Sequence, residues 1–216
     1  MALTHTLDIR RRNTFSIGLM IALASWALVF ITLVWGYVVF RMRTSAWLGE
    51  YLTPAVWSLA TLNTAVIALS SLALHLGLRD RAFTDLLKSN GSQYWPPLVD
   101  NNPKNTGITY AEAGRAVLFI WMAFLLGVFF LIGQAQLWQL IMHQGLNWRG
   151  SIAGSFFFLL TGFHALHIVG ALLAVFILGV RFRFWEGSSF VIGVKYFWDF
   201  LFIVWIVMFG LIFIIK

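Results

Sequence analysis

Polar residues in this chain come in blocks, separated by apolar runs far longer than a soluble helix or strand requires. Windows free of Asp, Glu, Lys and Arg cover Asn13–Phe40, Tyr51–Leu78, Ala116–Trp148 and Gly150–Val180. A fifth run, about Phe190–Ile215, is interrupted only by Lys195 and Asp199. A hydrocarbon layer about 30 Å thick is crossed by ~20 residues of helix. Barrel strands would instead show ~10-residue segments of alternating polarity. The pattern therefore predicts an all-α integral membrane protein. It forms one domain of five transmembrane helices near residues 16–40, 52–77, 116–143, 151–180 and 190–215.

One block breaks the pattern. Residues 80–113 contain Trp95-Pro96-Pro97 and Asp100-Asn101-Asn102-Pro103, and three prolines so close together exclude a long helix. This segment is expected to be an irregular cytoplasmic loop. The first run follows Arg10-Arg11-Arg12 but exceeds the 7–15 apolar residues usual in a cleaved leader. It also ends in Tyr37–Arg43 rather than at a small-residue cleavage site, so it is expected to be retained.

Composition agrees. The 216 residues are 60% apolar and only 11% charged, against roughly 25% in soluble domains, with a mean hydropathy of +0.84. The 23 charged side chains could not cover a water-exposed surface. With no cysteine, the chain has no disulfide, thiolate metal site or cysteine nucleophile. The net charge of +7 changes meaning once the spans are drawn. Three basic residues precede span one. Five lie around the 80–113 loop (Arg79, Arg81, Lys88, Lys104, Arg115), and three lie between spans four and five (Arg181, Arg183, Lys195). Those eleven face only Arg41, Arg43, Arg149 and Lys216 on the other side. The excess places the N-terminus in the cytoplasm and the C-terminus in the periplasm, and it calls for no nucleic-acid partner.

Polar residues inside the spans are the candidates for chemistry, because hydrocarbon tolerates them only where they face protein. His164 and His167 lie three apart on one face of span four. They could ligate a metal or haem, or hydrogen-bond between helices. No comparable third and fourth ligand accompanies them, which favours the second reading. Asp199 is the carboxylate set within span five, with Lys195 one turn before it. It could carry protons or serve as a buried partner for a neighbouring donor. One such carboxylate makes no proton chain, and the partner reading is favoured. Asn63 and Thr64 of span two and Gln134 of span three suit interhelical hydrogen bonds. Thr161, Gly162 and Gly170 are expected to let neighbouring helices approach span four closely. No phosphate loop, zinc motif or activatable serine is present.

Span four carries a specific pattern, Ser155-Phe156-Phe157-Phe158-Leu159-Leu160-Thr161-Gly162-Phe163-His164-Ala165-Leu166-His167-Ile168-Val169-Gly170. It closely resembles the signature of haem–copper oxidase subunit III, Thr-Gly-Phe-His-Gly-Leu-His-Val behind an aromatic lead. The other spans follow in family order. Tyr37…Arg41 ends span one, and Leu62-Asn63-Thr64 precedes Ser70-Ser71 in span two. Leu126-Gly127…Gln134 lies in span three, and Trp198-Asp199-Phe200…Trp205 in span five. Five spans resemble the short bacterial form of the family. The chain departs from the family at its carboxylates. Ser25-Trp26 stands for a Ser-Glu pair, Leu137 for a glutamate, Asp199 for a histidine and Phe202 for an aspartate.

The resemblance implies a non-redox accessory subunit of a terminal oxidase in the bacterial inner membrane, with no cofactor of its own. Haem and copper would lie in partner subunits. The chain would pack on subunit I, beside subunit II and small subunits such as subunit IV, and could join a respiratory supercomplex. It would also bind phospholipids, with Arg41, Arg181, Arg183 and Trp205 as headgroup candidates. A polar network of His164, His167, Asp199 and Lys195 is expected to lock spans four and five. Two alternatives stay open from the sequence: a similar subunit of a nitric oxide reductase, and an independent transporter. The electron donor, cytochrome c or quinol, is not legible in this chain.

Overall fold

The computed structural model describes residues 2–44, 47–79, 110–180 and 188–214, with side chains over 17–44, 47–78, 114–180 and 190–214. Residues 80–109 of the expected loop and the headgroup candidates Arg181 and Arg183 lie outside the described residues; the loop expected to reach 113 is corrected at its end, where 110–113 are already helical. Five long helices dominate: α1 (Ala2–Arg43), α2 (Pro54–Arg79), α3 (Tyr110–His143), α4 (Ile152–Val180) and α5 (Ser188–Phe209). A short 3₁₀ turn, Gly49–Tyr51, precedes α2, and a π turn, Gly210–Ile214, continues α5. The stretches long and apolar enough to cross a membrane are Ile17–Arg43, Pro54–Leu78, Gly114–His143, Ile152–Val180 and Phe190–Ile214. They match the hydropathy boundaries to within a few residues. The protein is a multi-pass membrane protein.

The helix ends follow from local sequence. α2 opens on Pro54, whose missing N–H costs nothing in a first turn. α4 starts behind Ser151, whose Oγ accepts the Gly154 N–H at 3.0 Å. α3 ends on Gly145 at φ +96°, a conformation that strains any residue with a side chain. There the Gly145 N–H donates to Met142 O and the Leu146 N–H to Ile141 O, closing a Schellman motif. Leu146 and Ile141, both buried, cover it. α1 begins far upstream of its apolar window, since no Gly or Pro interrupts Ala2–Phe15.

α2 and α3 pack most extensively; α4 and α5 close the bundle, and α1 lies against α4 and α5. The core is apolar and aromatic, centred on Phe130, Phe157, Trp198 and Trp205. Its close approaches use glycines other than the expected ones. A Cβ on Gly127 would meet Leu172 at 2.6 Å and Trp198 at 2.9 Å, and one on Gly133 would meet Asn63 Oδ1 at 2.5 Å. Among the described residues, nothing lies within 4 Å of a Cβ at Gly162 or Gly170. The expectation that those two admit a neighbouring helix is therefore corrected. They share a helix with the buried stripe but do not face it. The outward faces carry large apolar residues such as Trp35, Leu28, Leu118 and Leu173, each more than half exposed, as a lipid-facing exterior requires.

Candidate functional site

Polar side chains sort into three levels along the bundle. At one end, Arg41 Nη1 donates to Leu211 O at 3.0 Å and Trp57 Nε1 to Phe213 O at 3.3 Å. These two donors, from α1 and α2, bond carbonyls of the π turn that ends the last span. Gln144 Nε2 donates to Thr53 Oγ1 at 2.9 Å, tying the end of α3 to the start of α2. Arg41 thus anchors a helix end in addition to any part it plays toward headgroups.

The middle level is built on two bonds of the same design. Trp138 Nε1 on α3 donates to Thr161 Oγ1 on α4 at 3.0 Å. Trp205 Nε1 on α5 donates to Thr64 Oγ1 on α2 at 3.1 Å. Each threonine hydroxyl donates in turn to the carbonyl one turn back, Phe157 O and Ala60 O. An indole donor and a hydroxyl are thus both satisfied inside hydrocarbon, and each bond joins two helices. Asn63 Nδ2 donates to Gln134 Oε1 at 3.4 Å, a weaker third link between α2 and α3.

Trp205 is therefore not where a headgroup ligand should be. It is 1% exposed, seven residues (about 10 Å) along from the level of Trp57, and its ring stacks on His164 at 5.4 Å. Trp205 lies well inside its span, and its indole N–H is taken up by the Thr64 hydroxyl of a neighbouring helix. His164 is also 1% exposed, walled by Phe30, Phe130 and Trp205.

At the opposite end, Ser70 Oγ donates to Ala123 O at 2.7 Å, joining α2 to α3. Beyond it, His75 Nδ1 lies 3.6 Å from Asp199 Oδ1 and 3.2 Å from Ser71 O. The expected network of Asp199 with His164 and His167 is thereby corrected. Asp199 turns toward α2, where His75 meets it, with Lys195 one turn away on its own helix. Both ring nitrogens of His164 lack a partner among the described residues. His167 Nδ1 donates instead to Phe163 O at 2.7 Å, and its ring packs on Trp26, Phe30 and Phe163. Rotation of α5 about its axis decided the matter, and spacing alone does not reveal rotation.

Depth changes too. His75 is 18 residues (about 27 Å) from Trp57 along α2, close to the full hydrocarbon thickness. Asp199, although nine residues inside span five, thus meets its partner on the side of the middle level toward which α2 ends. Its side chain is 27% exposed and that of His75 44%. Sequence reasoning missed His75 as its partner. The usable signal was that both residues sit toward the same end of their spans, where the first half of α5 faces the last turns of α2. Among the described residues, no three His, Cys, Asp or Glu come together as metal ligands.

Comparison with known proteins places this arrangement among relatives. No family model matches the chain. It is 38% identical over 118 residues to a probable cytochrome c oxidase subunit 3 of Mycobacterium bovis, covering 51% of this chain and 58% of that protein. The chain thus spans somewhat over half the length of the Mycobacterium bovis relative. A probable cytochrome c oxidase subunit 3 of Mycobacterium leprae is 30% identical over 198 residues, 78% of this chain and 96% of the relative. A cytochrome c oxidase subunit 3 of Synechocystis is 26% identical over 203 residues, 92% of this chain and 74% of the relative.

Proposed function

The chain belongs to the cytochrome c oxidase subunit 3 family, and from that premise we propose that it is the non-redox accessory subunit of a proton-pumping terminal oxidase. Relatedness across nearly the whole of the Mycobacterium leprae protein carries this reading. The polar groups support it, since they join helices to one another. Asn63, Thr64, Thr161 and Trp205 all serve the bundle's own cohesion. In this reading haem and copper belong to partner subunits. The chain packs on subunit I, with subunit II and small subunits such as subunit IV nearby, and can enter a supercomplex.

The apolar exterior is the surface such packing needs, and what partners leave uncovered meets lipid. Arg41, near one membrane boundary, is the described candidate for a phospholipid headgroup; Arg181 and Arg183 are the candidates from sequence. The eleven-to-four distribution of basic residues supports a cytoplasmic N-terminus and a periplasmic C-terminus in the bacterial inner membrane. His75, Asp199 and Lys195 then lie toward the cytoplasmic boundary.

Purification of the intact complex in mild detergent tests the reading. The chain is expected to co-purify with a subunit carrying haem and copper, and phospholipid is expected to remain after delipidating washes. Co-purification with haem and non-haem iron would assign it instead to a nitric oxide reductase. Isolation as a lone protein that conducts solutes in liposomes would make it a transporter.

A further inference from the structure

We propose that the centre of the bundle holds internal water, bound between His164 of α4 and Gln134 of α3. The two residues share a level. The Trp138–Thr161 bond and the close approach of Leu172 to Gly127 set an antiparallel register that puts Gln134 at the height of His164. Phe130, one turn from Gln134 on α3, is 6.2 Å from the His164 ring. Both side chains are 1% exposed.

Their polar atoms do not find enough protein partners. Among the described residues, His164 Nδ1 and Nε2 have none, and Gln134 Nε2 has none although its Oε1 accepts from Asn63. A neutral imidazole presents one donor and one acceptor, and the amide presents donors. Stranding all of them in an apolar core costs far more than replacing both residues with leucine and phenylalanine. Water answers that set, because it donates to the bare ring nitrogen while accepting from Gln134 Nε2 or the ring N–H. Buried waters make about three such bonds and remain where polar groups converge.

A metal ion does not fit. The site offers one imidazole and one amide, and the flanking hydroxyl of Thr161 is already committed to Trp138 and Phe157 O. A protonated imidazolium does not fit either, since the rings around it include no carboxylate. The site is closed to lipid, which excludes a headgroup. The outcome is a small hydrated centre at mid-membrane that couples α3 to α4, one level away from the ionisable His75–Asp199 pair.

The test is made on the intact complex. A cryo-electron microscopy map that resolves water should show density within hydrogen-bonding distance of a His164 ring nitrogen; a dry contact there overturns the proposal. His164→Phe and Gln134→Leu should each lower the melting temperature by about 2–4 °C. Combined, they should lower it by clearly less than the sum, because the second change removes a group already stranded by the first. Additive losses, or a complex stabilised by His164→Phe alone, also overturn it. Should His164→Phe fail to assemble, His164→Leu, which likewise cannot bond water, carries the cycle. Neither result bears on whether the complex carries haem and copper, so this proposal and the subunit assignment fail separately.

Discussion

The middle of the bundle and its His75 end carry similar numbers of polar side chains and use them differently. In the middle, Trp138–Thr161 and Trp205–Thr64 are neutral, part-buried and geometrically tight, and between them they involve all four helices of the main bundle. At the His75 end, Ser70 is buried and bonded, but the ionisable residues beyond it stay partly open. His75 and Asp199 meet at 3.6 Å with 44% and 27% of their side chains exposed. The difference follows from what surrounds each level. Hydrocarbon at mid-depth penalises charge heavily, so the polar groups there are neutral. Near the boundary, water and headgroups reach the side chains and reduce that penalty. Cohesion therefore rests on the middle, while charge collects at the rim.

The largest effect should come where the two levels join. Gly127→Leu drives a side chain into the ends of Leu172 and Trp198, which are themselves buried in the core. Overpacking of this kind costs about 1–3 kcal/mol and occasionally more. Loss of the chain from the purified complex, read by subunit content after detergent washing, is the expected outcome. Retention with an unchanged melting temperature would show that α3, α4 and α5 are not held as closely as the structure has them.

The middle bonds come next. Thr64→Val and Thr161→Val keep shape while removing the acceptor of a buried indole N–H. Each should destabilise by about 1 kcal/mol, in line with interhelical bonds in membranes. The two sites use different helix pairs and should add. Thermal unfolding of the complex, followed by tryptophan fluorescence, measures both. A loss at only one site would break the symmetry between the two Trp–Thr links.

At the rim, Asp199→Asn should cost less than either threonine change, about 0–1 kcal/mol, as part-exposed ion pairs do. The loss should shrink as salt is raised, because screening weakens the pair in the parent protein as well. His75→Gln should give a loss of similar size and little further loss when combined with Asp199→Asn, which would establish the pairing by a double-mutant cycle. A larger loss than at Thr64, or coupling of Asp199 to His164, would restore the network that spacing suggested.

Hydropathy made the spans legible because each had to cross the same thickness of lipid, and their boundaries came out within a few residues. The polar residues of the middle were legible as a set, since Asn63, Thr64, Gln134, Thr161 and His164 stand out in apolar surroundings. Their partners were not. A span's sequence states which residues share a face, while the face's direction depends on helix rotation set by every other contact. Trp205 went inward and Asp199 turned to α2 for that reason.

The two span-four glycines expected at a helix contact give the smallest effect and the sharpest reading of that limit. Gly170 is exposed and has open space where a Cβ would lie, and Gly162 is likewise open. Gly170→Ala removes a residue that disfavours helix by about 1 kcal/mol relative to alanine. It meets no neighbour among the described residues. In the isolated chain the change should be neutral or slightly stabilising, while Gly127→Ala on the facing helix should destabilise. If Gly170→Ala instead weakens only the assembled complex, read as earlier subunit loss on detergent titration, then a partner's helix occupies that open face. The small residue would then mark a contact between subunits, where the sequence pattern had pointed to one within the chain.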